Sequence, residues 1–410
     1  MKKFFLNSVA WVTFFSLIKF ILNLKIASLL LPSDYGMILM PLIFFSFLDL
    51  LLEGGFHAGI IKFNPPHSDI KIILKSKLKL GLVIAPILAF FQLLAFSYLF
   101  PHIPSFVIFA FMMISIIKLS NYFFEAKLIA DGSYVKTETL NFLVTVSIYL
   151  AFIFIIPKFQ IAGYYYLCCI YILLYGFYGT LLYIFYRQMA SSKDQNSSHT
   201  QLLEFAYSRI QSSFIFALSG RLDEFAAAIL FSPSMLGIYS RVKELGVMIG
   251  TFSSKIISRP WYYIACNLDI KPVRATFIAA NIFILAMAFL FFGILQFLMS
   301  IIIDFLGPNW ELLSEYSIFM ALIFLSYFLS EFSLYTLLAL GKERHVLIAD
   351  RVIVSIRIIC YLLLFCFINF SELKISIDLM LYLEVILRVL NMFFQYLIFF
   401  MARREVQSSS

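Results

Sequence analysis

Five charged side chains stand near the middle of long apolar runs: Lys19, Asp49, Arg221, Arg357 and Arg388. Nine more, Lys25, Glu53, Asp223, Glu224, Arg241, Lys243, Glu331, Arg351 and Glu384, fall nearer the ends of such runs. A charged side chain at the centre of a bilayer-spanning helix costs about 2.5–3.5 kcal/mol even on the lenient insertion scale. Each therefore implies a partner, a water-filled cavity or a ligand. At mid-depth the cations outnumber the anions and come from both halves of the chain. Arg and Lys hold phosphate oxygens through charge-assisted hydrogen bonds. The pattern thus points to Lys19, Lys25, Arg221, Arg357 and Arg388 as candidate contacts for an anionic, phosphate-bearing substrate.

The acidic residues carry a different expectation. Asp49 and Glu53 are four apart on one helix face and repel unless a cation, a proton or Lys19 of the neighbouring span neutralises them. With Asp223 they are candidates for a coupling-ion site or for structural ion pairs. Glu384 with Arg388, and Arg221 with Glu224, have the spacing of pairs within a helix. Lys25, Arg241 and Lys243 can instead snorkel to a membrane interface. The five histidines are dispersed, and the five cysteines lie in or beside apolar runs without metal-ligand spacing. Neither a metal, a cofactor nor a disulfide framework is expected. Gly55 and Gly59 form a GxxxG step suited to close helix packing.

The elements that must position these residues follow from composition. The 410-residue chain is 62% apolar and only 13% charged, about half the charge of an ordinary globular chain, which excludes a soluble enzyme, a coiled coil and a disordered chain. Its apolar blocks have the length that crosses a bilayer as helix. Twelve spans are expected near 8–30, 37–61, 80–100, 106–124, 138–157, 164–186, 205–231, 236–258, 275–302, 312–340, 348–370 and 376–401. Eighteen of the 31 basic residues then fall at one set of ends and loops, including Lys62, Lys71, Lys75, Lys77, Lys79 and Lys127, against Lys158 and Lys374 opposite. The positive-inside rule puts both termini in the cytoplasm and accounts for the basic charge without nucleic acid. The first run, which starts at Lys2 and Lys3 and lacks a small-residue cleavage pattern, reads as a retained span. Pro41 and Pro86 fall within spans, where they are expected to kink the helix.

The external connections are short, so no external catalytic domain is expected and the chain does not read as an enzyme. The longest polar stretch, Arg187 to Gln201, is a Ser/Asn/Gln-rich linker near mid-chain. It suggests an N-terminal six-helix lobe over 1–190, a linker over 191–203, a second lobe over 204–402 and a tail over 403–410. An internal repeat agrees: Pro32, Ser33 and Gly36 of LPSDYGMI recur as Pro233, Ser234 and Gly237 of SPSMLGIY, each 201 positions later. Because six spans is an even number, the two lobes enter the membrane in the same sense. Any substrate site is then expected in a cavity between them near the midplane.

Four segments carry a resemblance to a known family: LKIASLLLPSDYGMI, EGGFHAGIIK (Glu53 to Lys62), RLDEFAAAILFSPSMLGIYSRVKEL (Arg221 to Leu245) and DFLGPNWELL (Asp304 to Leu313). They resemble the polysaccharide-type flippases, including O-antigen flippases, of the multidrug/oligosaccharidyl-lipid/polysaccharide exporter superfamily. Where that family often has Arg, this chain has Ser28, with its cation at Lys25 instead. The resemblance implies an all-α polytopic membrane protein: twelve transmembrane helices in two parallel, MATE-like six-helix lobes around a central cavity. It also implies a bacterial inner-membrane flippase for an undecaprenyl-diphosphate-linked oligosaccharide, with the bilayer and the polysaccharide polymerase machinery as partners. Two rivals stay open: an ion-coupled drug or small-molecule exporter of the same fold, whose cavity is expected to be anionic, and a membrane glycan polymerase.

Overall fold

The computed structural model describes residues 2–53, 56–99, 104–155, 163–189, 202–203, 220–266, 286, 289–290, 293, 297–339, 343–371 and 376–407. Every regular element among them is helical. In chain order these are α1 (Lys2–Ser28), α2 (Pro32–Glu53), α3 (Phe56–Phe63), α4 (His67–Leu99), α5 (Ser105–Ala130), α6 (Tyr134–Ile155) and α7 (Gly163–Met189). After them come α8 (220–230), α9 (Pro233–Cys266), α10 (Phe297–Leu306), a 3-10 turn (Pro308–Tyr316), α11 (Ser317–Ala339), α12 (Glu343–Ser371) and α13 (Ile377–Gln407). Four stretches among the described residues are long and apolar enough by themselves to cross a membrane: Ser105–Ala130, Lys136–Ile155, Gly163–Gln188 and Pro308–Leu334. The chain is an all-α, multi-pass membrane protein. Phe90, Phe154, Phe177, Leu363 and Phe393, all largely exposed, fit a surface solvated by acyl chains.

The chain divides into two compact units, Leu17–Arg221 and Leu222–Ser410 together with Met1–Ser16. In the N-terminal unit α5 is the hub, packing against α2, α3, α4, α6 and α7. It ends at Gly132, whose φ of 84° supplies the left-handed residue of a helix terminator; Ser133 N–H then donates to Leu128 C=O at 2.8 Å. Leu128, Val144, Tyr178 and Leu182 form a buried cluster where α5, α6 and α7 meet. The polar run at 62–79, read from sequence as a loop, is mostly helix. It begins α4, because Ile70, Ile73 and Leu74 are buried at helical spacing. Pro41 and Pro86 both lie inside continuous helices.

In the C-terminal unit α9 and α11 make the most extensive helix pair. The reason is a small-residue face. A Cβ on Gly246 would lie 2.8 Å from Met320 C=O, and one on Gly250 would lie 2.7 Å from the Tyr327 ring. This GxxxG step brings two backbones together. Of the Gly55–Gly59 step expected from sequence, Gly55 lies outside the described residues. On its other side α11 meets α13, where Ser330 and Ser333 donate to Gln395 Oε1 at 3.1 and 2.7 Å.

Candidate functional site

The repeat motif does the same work in both copies. Pro32 opens α2 and Pro233 opens α9, each just after a helix end, where a missing N–H costs nothing. In the first copy Asp34 is buried and accepts from Leu31 N–H at 3.3 Å. Its carboxylate also accepts from the backbone N–H groups of Gly163 and Tyr164 at the start of α7. Unpaired N–H groups and the helix dipole favour a carboxylate there. A Cβ on Gly163 would collide with that carboxylate, so glycine is required for the approach.

Around the second copy lies a buried charged network. Asp223 of α8, fully buried, accepts from Lys243 Nζ at 2.7 Å and from the Tyr239 hydroxyl at 2.8 Å. Tyr239 and Lys243 are one turn apart on α9, so Leu-Gly-Ile-Tyr-Ser-Arg-Val-Lys places two donors on one acid. Lys243 also stands 3.3 Å from Glu224. Glu384 of α13, fully buried, accepts from Arg357 of α12 at 3.1 Å and from Arg388, one turn along its own helix, at 2.5 Å. The Tyr361 hydroxyl reaches the same carboxylate at 3.4 Å. Arg357 and Arg388 both act electrostatically on Asp223, so the two halves form one cluster of three acids and three bases. Nearby, Arg241 is buried, pairs with Glu244 at 2.6 Å and lies 5.9 Å from the centre of the Trp310 ring. Gly307, with φ of 86°, starts the 3-10 turn that buries Trp310. That gives the Leu-Gly-Pro-Asn-Trp element a structural reason.

A second cluster belongs to the N-terminal unit. Lys118 of α5 donates to Asp49 of α2 at 3.2 Å and lies 4.7 Å from the centre of the Tyr175 ring of α7. Lys19 of α1 donates to Asn141 of α6 at 3.1 Å. Both arrangements border a cavity of about 290 Å³ lined by Lys118, Asn121, Glu125, Asn141, Tyr175 and Tyr178, among others. Lys19 and Glu138 act electrostatically on Glu125. Asn121 donates to Tyr175 C=O at 2.9 Å, and its side chain rests on Gly179, where a Cβ would strike it.

The expected residues therefore separate. Arg357, Arg388 and Asp223 meet in one cluster, while Lys19 and Asp49 belong to the other. Asp49 pairs with Lys118 rather than with Lys19 of the first span, because α5 packs against α2 at that level. Arg388 pairs with Glu384 at the spacing read from sequence. Glu224 pairs with Lys243, and Arg241 and Lys243 are buried and paired rather than snorkelled. Arg221 and Lys25 are half-buried, in α8 and at the end of α1. Glu53 is the last residue of α2, and its side chain lies outside the described residues. Sequence reasoning passed over Lys118, Glu125, Glu138 and Asn141. The helical spacing of Lys118 and Glu125, seven apart on one face, was the signal that could have drawn attention to α5. Lys127, expected in a cytoplasmic loop, is buried at the end of α5 and donates to Asn64 at 2.6 Å beside Asp131 at 3.0 Å. Among the described residues no group of three metal-ligating side chains occurs.

Residues 26–315 match the profile of a family described as "Polysaccharide biosynthesis protein". No curated protein matches the sequence. Solved structures share the fold at low identity. An inward-facing multidrug resistance MATE family transporter of the MOP superfamily superposes with a TM-score of 0.62 at 11% identity, covering 95% of each chain. An outward-facing one gives 0.55 at 12%, covering 98% of this chain and 96% of that one. A mutant of the Vibrio cholerae MATE transporter VcmN gives 0.56 at 14% identity, with 98% and 96% covered.

Proposed function

We propose, for a chain that belongs to the polysaccharide biosynthesis protein family and has the MATE transporter fold, that its cargo is a lipid-linked glycan. The cargo is an undecaprenyl-diphosphate-linked oligosaccharide, an O-antigen or capsule repeat unit. It crosses the bacterial inner membrane from the inner to the outer leaflet by alternating access, and both termini are cytoplasmic. The observation that carries this reading is the coincidence of a polysaccharide family match with a transporter fold over 95% of the chain.

The charged side chains add chemical support. Arg357 and Arg388 converge on one carboxylate, the arrangement that also suits phosphate oxygens. In the other unit Lys118 lines a polar cavity, and Lys19 donates to Asn141, which lines it too. In this reading Lys19, Lys25, Arg221, Arg357 and Arg388 serve the anionic head, and Asp49, Glu53 and Asp223 serve as coupling-ion or ion-pair residues. An inside-negative membrane drives an anionic head outward by about 2.3 kcal/mol per charge per 100 mV, so the potential alone can set direction.

The test is complementation of a bacterium lacking its own flippase, reading surface glycan together with lipid-linked glycan exposed on the outer leaflet. The chain restores both. Neutral variants at Lys19, Arg221, Arg357 and Arg388 lose transport while still inserting. Arg357→Lys, which keeps the charge but loses the fork, separates substrate contact from misfolding. Normal transport by all four neutral variants would refute the reading.

A further inference from the structure

The first four turns of α4 carry four lysines, and the fold uses them in two different ways. Lys77 turns inward, its ammonium 4.9 Å from the centre of the Phe56 ring. Lys71, Lys75 and Lys79 are exposed, four apart, on a stripe turned away from the buried face of Ile70, Ile73 and Leu74. The same exposed stripe continues beyond Lys79 as Leu82, Val83, Ile87 and Phe90, with Phe90 60% exposed. It changes from basic to apolar within one turn.

The helix is also too long for the bilayer core. At 1.5 Å per residue its 33 residues extend about 50 Å, against about 30 Å of hydrocarbon. About 13 residues must then project beyond the acyl chains, and placing the apolar stripe in the hydrocarbon leaves the segment from His67 to Lys79 in the headgroup layer. Lys71 to Lys79 rise about 12 Å, enough to cross that layer. Ile72, 65% exposed between the lysines, gives the same face an apolar foothold.

We propose that Lys71, Lys75 and Lys79 form a binding strip for the phosphate groups of anionic phospholipids in the leaflet at this end of α4. Charge complementarity and continuity with the lipid-facing stripe select the occupant. The strip is separate from the cargo chemistry, so it holds or fails whatever the protein transports.

The experiment is native mass spectrometry of the full-length detergent-purified protein equilibrated with equal amounts of phosphatidylglycerol and phosphatidylcholine. The wild type retains phosphatidylglycerol preferentially, and the preference weakens as salt rises. Each of K71Q, K75Q and K79Q reduces the phosphatidylglycerol association constant about fivefold, and the triple variant roughly a hundredfold. K77Q leaves it unchanged, and K71R/K75R/K79R retains it, which separates charge from damage to the helix. Equal retention of both lipids by the wild type overturns the proposal. So does a triple Gln variant that keeps the preference, or a K77Q loss as large as that of the exposed lysines.

Discussion

The two units hold their intramembrane charges in opposite ways. In the C-terminal unit Asp223, Glu384 and Arg357 are almost wholly excluded from solvent, and three bases meet three acids across α8, α9, α12 and α13. In the N-terminal unit Asp49 is buried, but Lys118, Glu125 and Asn141 are only half-buried and face a cavity of about 290 Å³. There Lys19 and Lys118 stand among Asp49, Glu125 and Glu138, two bases against three acids. A buried balanced network is expensive to break, because removing one member leaves an uncompensated charge in low dielectric. A cluster beside a polar cavity can admit water or exchange a proton, and each member matters less to stability. The comparison gives tightly paired charges to one unit and a more open arrangement beside a cavity to the other.

Deleting the carboxylate at the centre of the locked network is the severest way to test that contrast. Glu384→Gln leaves Arg357 and Arg388 without their shared anion and is expected to cost about 3–5 kcal/mol, read as a large fall in thermal unfolding temperature in detergent. The matching change in the other unit, Asp49→Asn, frees Lys118 toward the cavity and is expected to cost about 1–3 kcal/mol. Equal losses for the two variants would erase the distinction. Steric tests come next. Gly246→Ala drives a methyl into the backbone carbonyl of Met320 and should cost about 1–3 kcal/mol, whereas Gly250→Ala meets a tyrosine ring that can turn aside and should cost less. The smallest effect is expected from Tyr239→Phe, which removes one of two donors to Asp223 and keeps Lys243 in place. About 1 kcal/mol is anticipated, by the same unfolding measurement.

Particular residues show where sequence reading reached and where it stopped. Arg388 and Glu384 were legible because a four-residue step on a helix fixes neighbours without any knowledge of packing. The paired turns at Pro32 and Pro233 were legible because proline at the start of a helix is a local signal. Lys118 was not, since its partner Asp49 is 69 positions away and becomes a neighbour only when α5 packs on α2. For Lys243 the sequence leaves open a place at the membrane interface. Its burial depends on Asp223 arriving from a different helix. Lys71 and Lys77 look alike in the string KIILKSKLK, and only the packed face of α4 separates an exposed cation from one laid on Phe56.

The amino-acid sequence by itself determined the solvent, the helical class and the paired helix starts at Pro32 and Pro233. Each of these depends on composition or on spacings within a few turns, which the hydrophobic effect and backbone geometry convert directly into structure. Tertiary structure alone decided which acid neutralises which base, which helix face is buried and where a polar cavity lies inside a unit. Those outcomes follow from contacts between residues far apart in the chain. Coulomb energy and desolvation depend on final distance and burial, and neither is encoded at any single position.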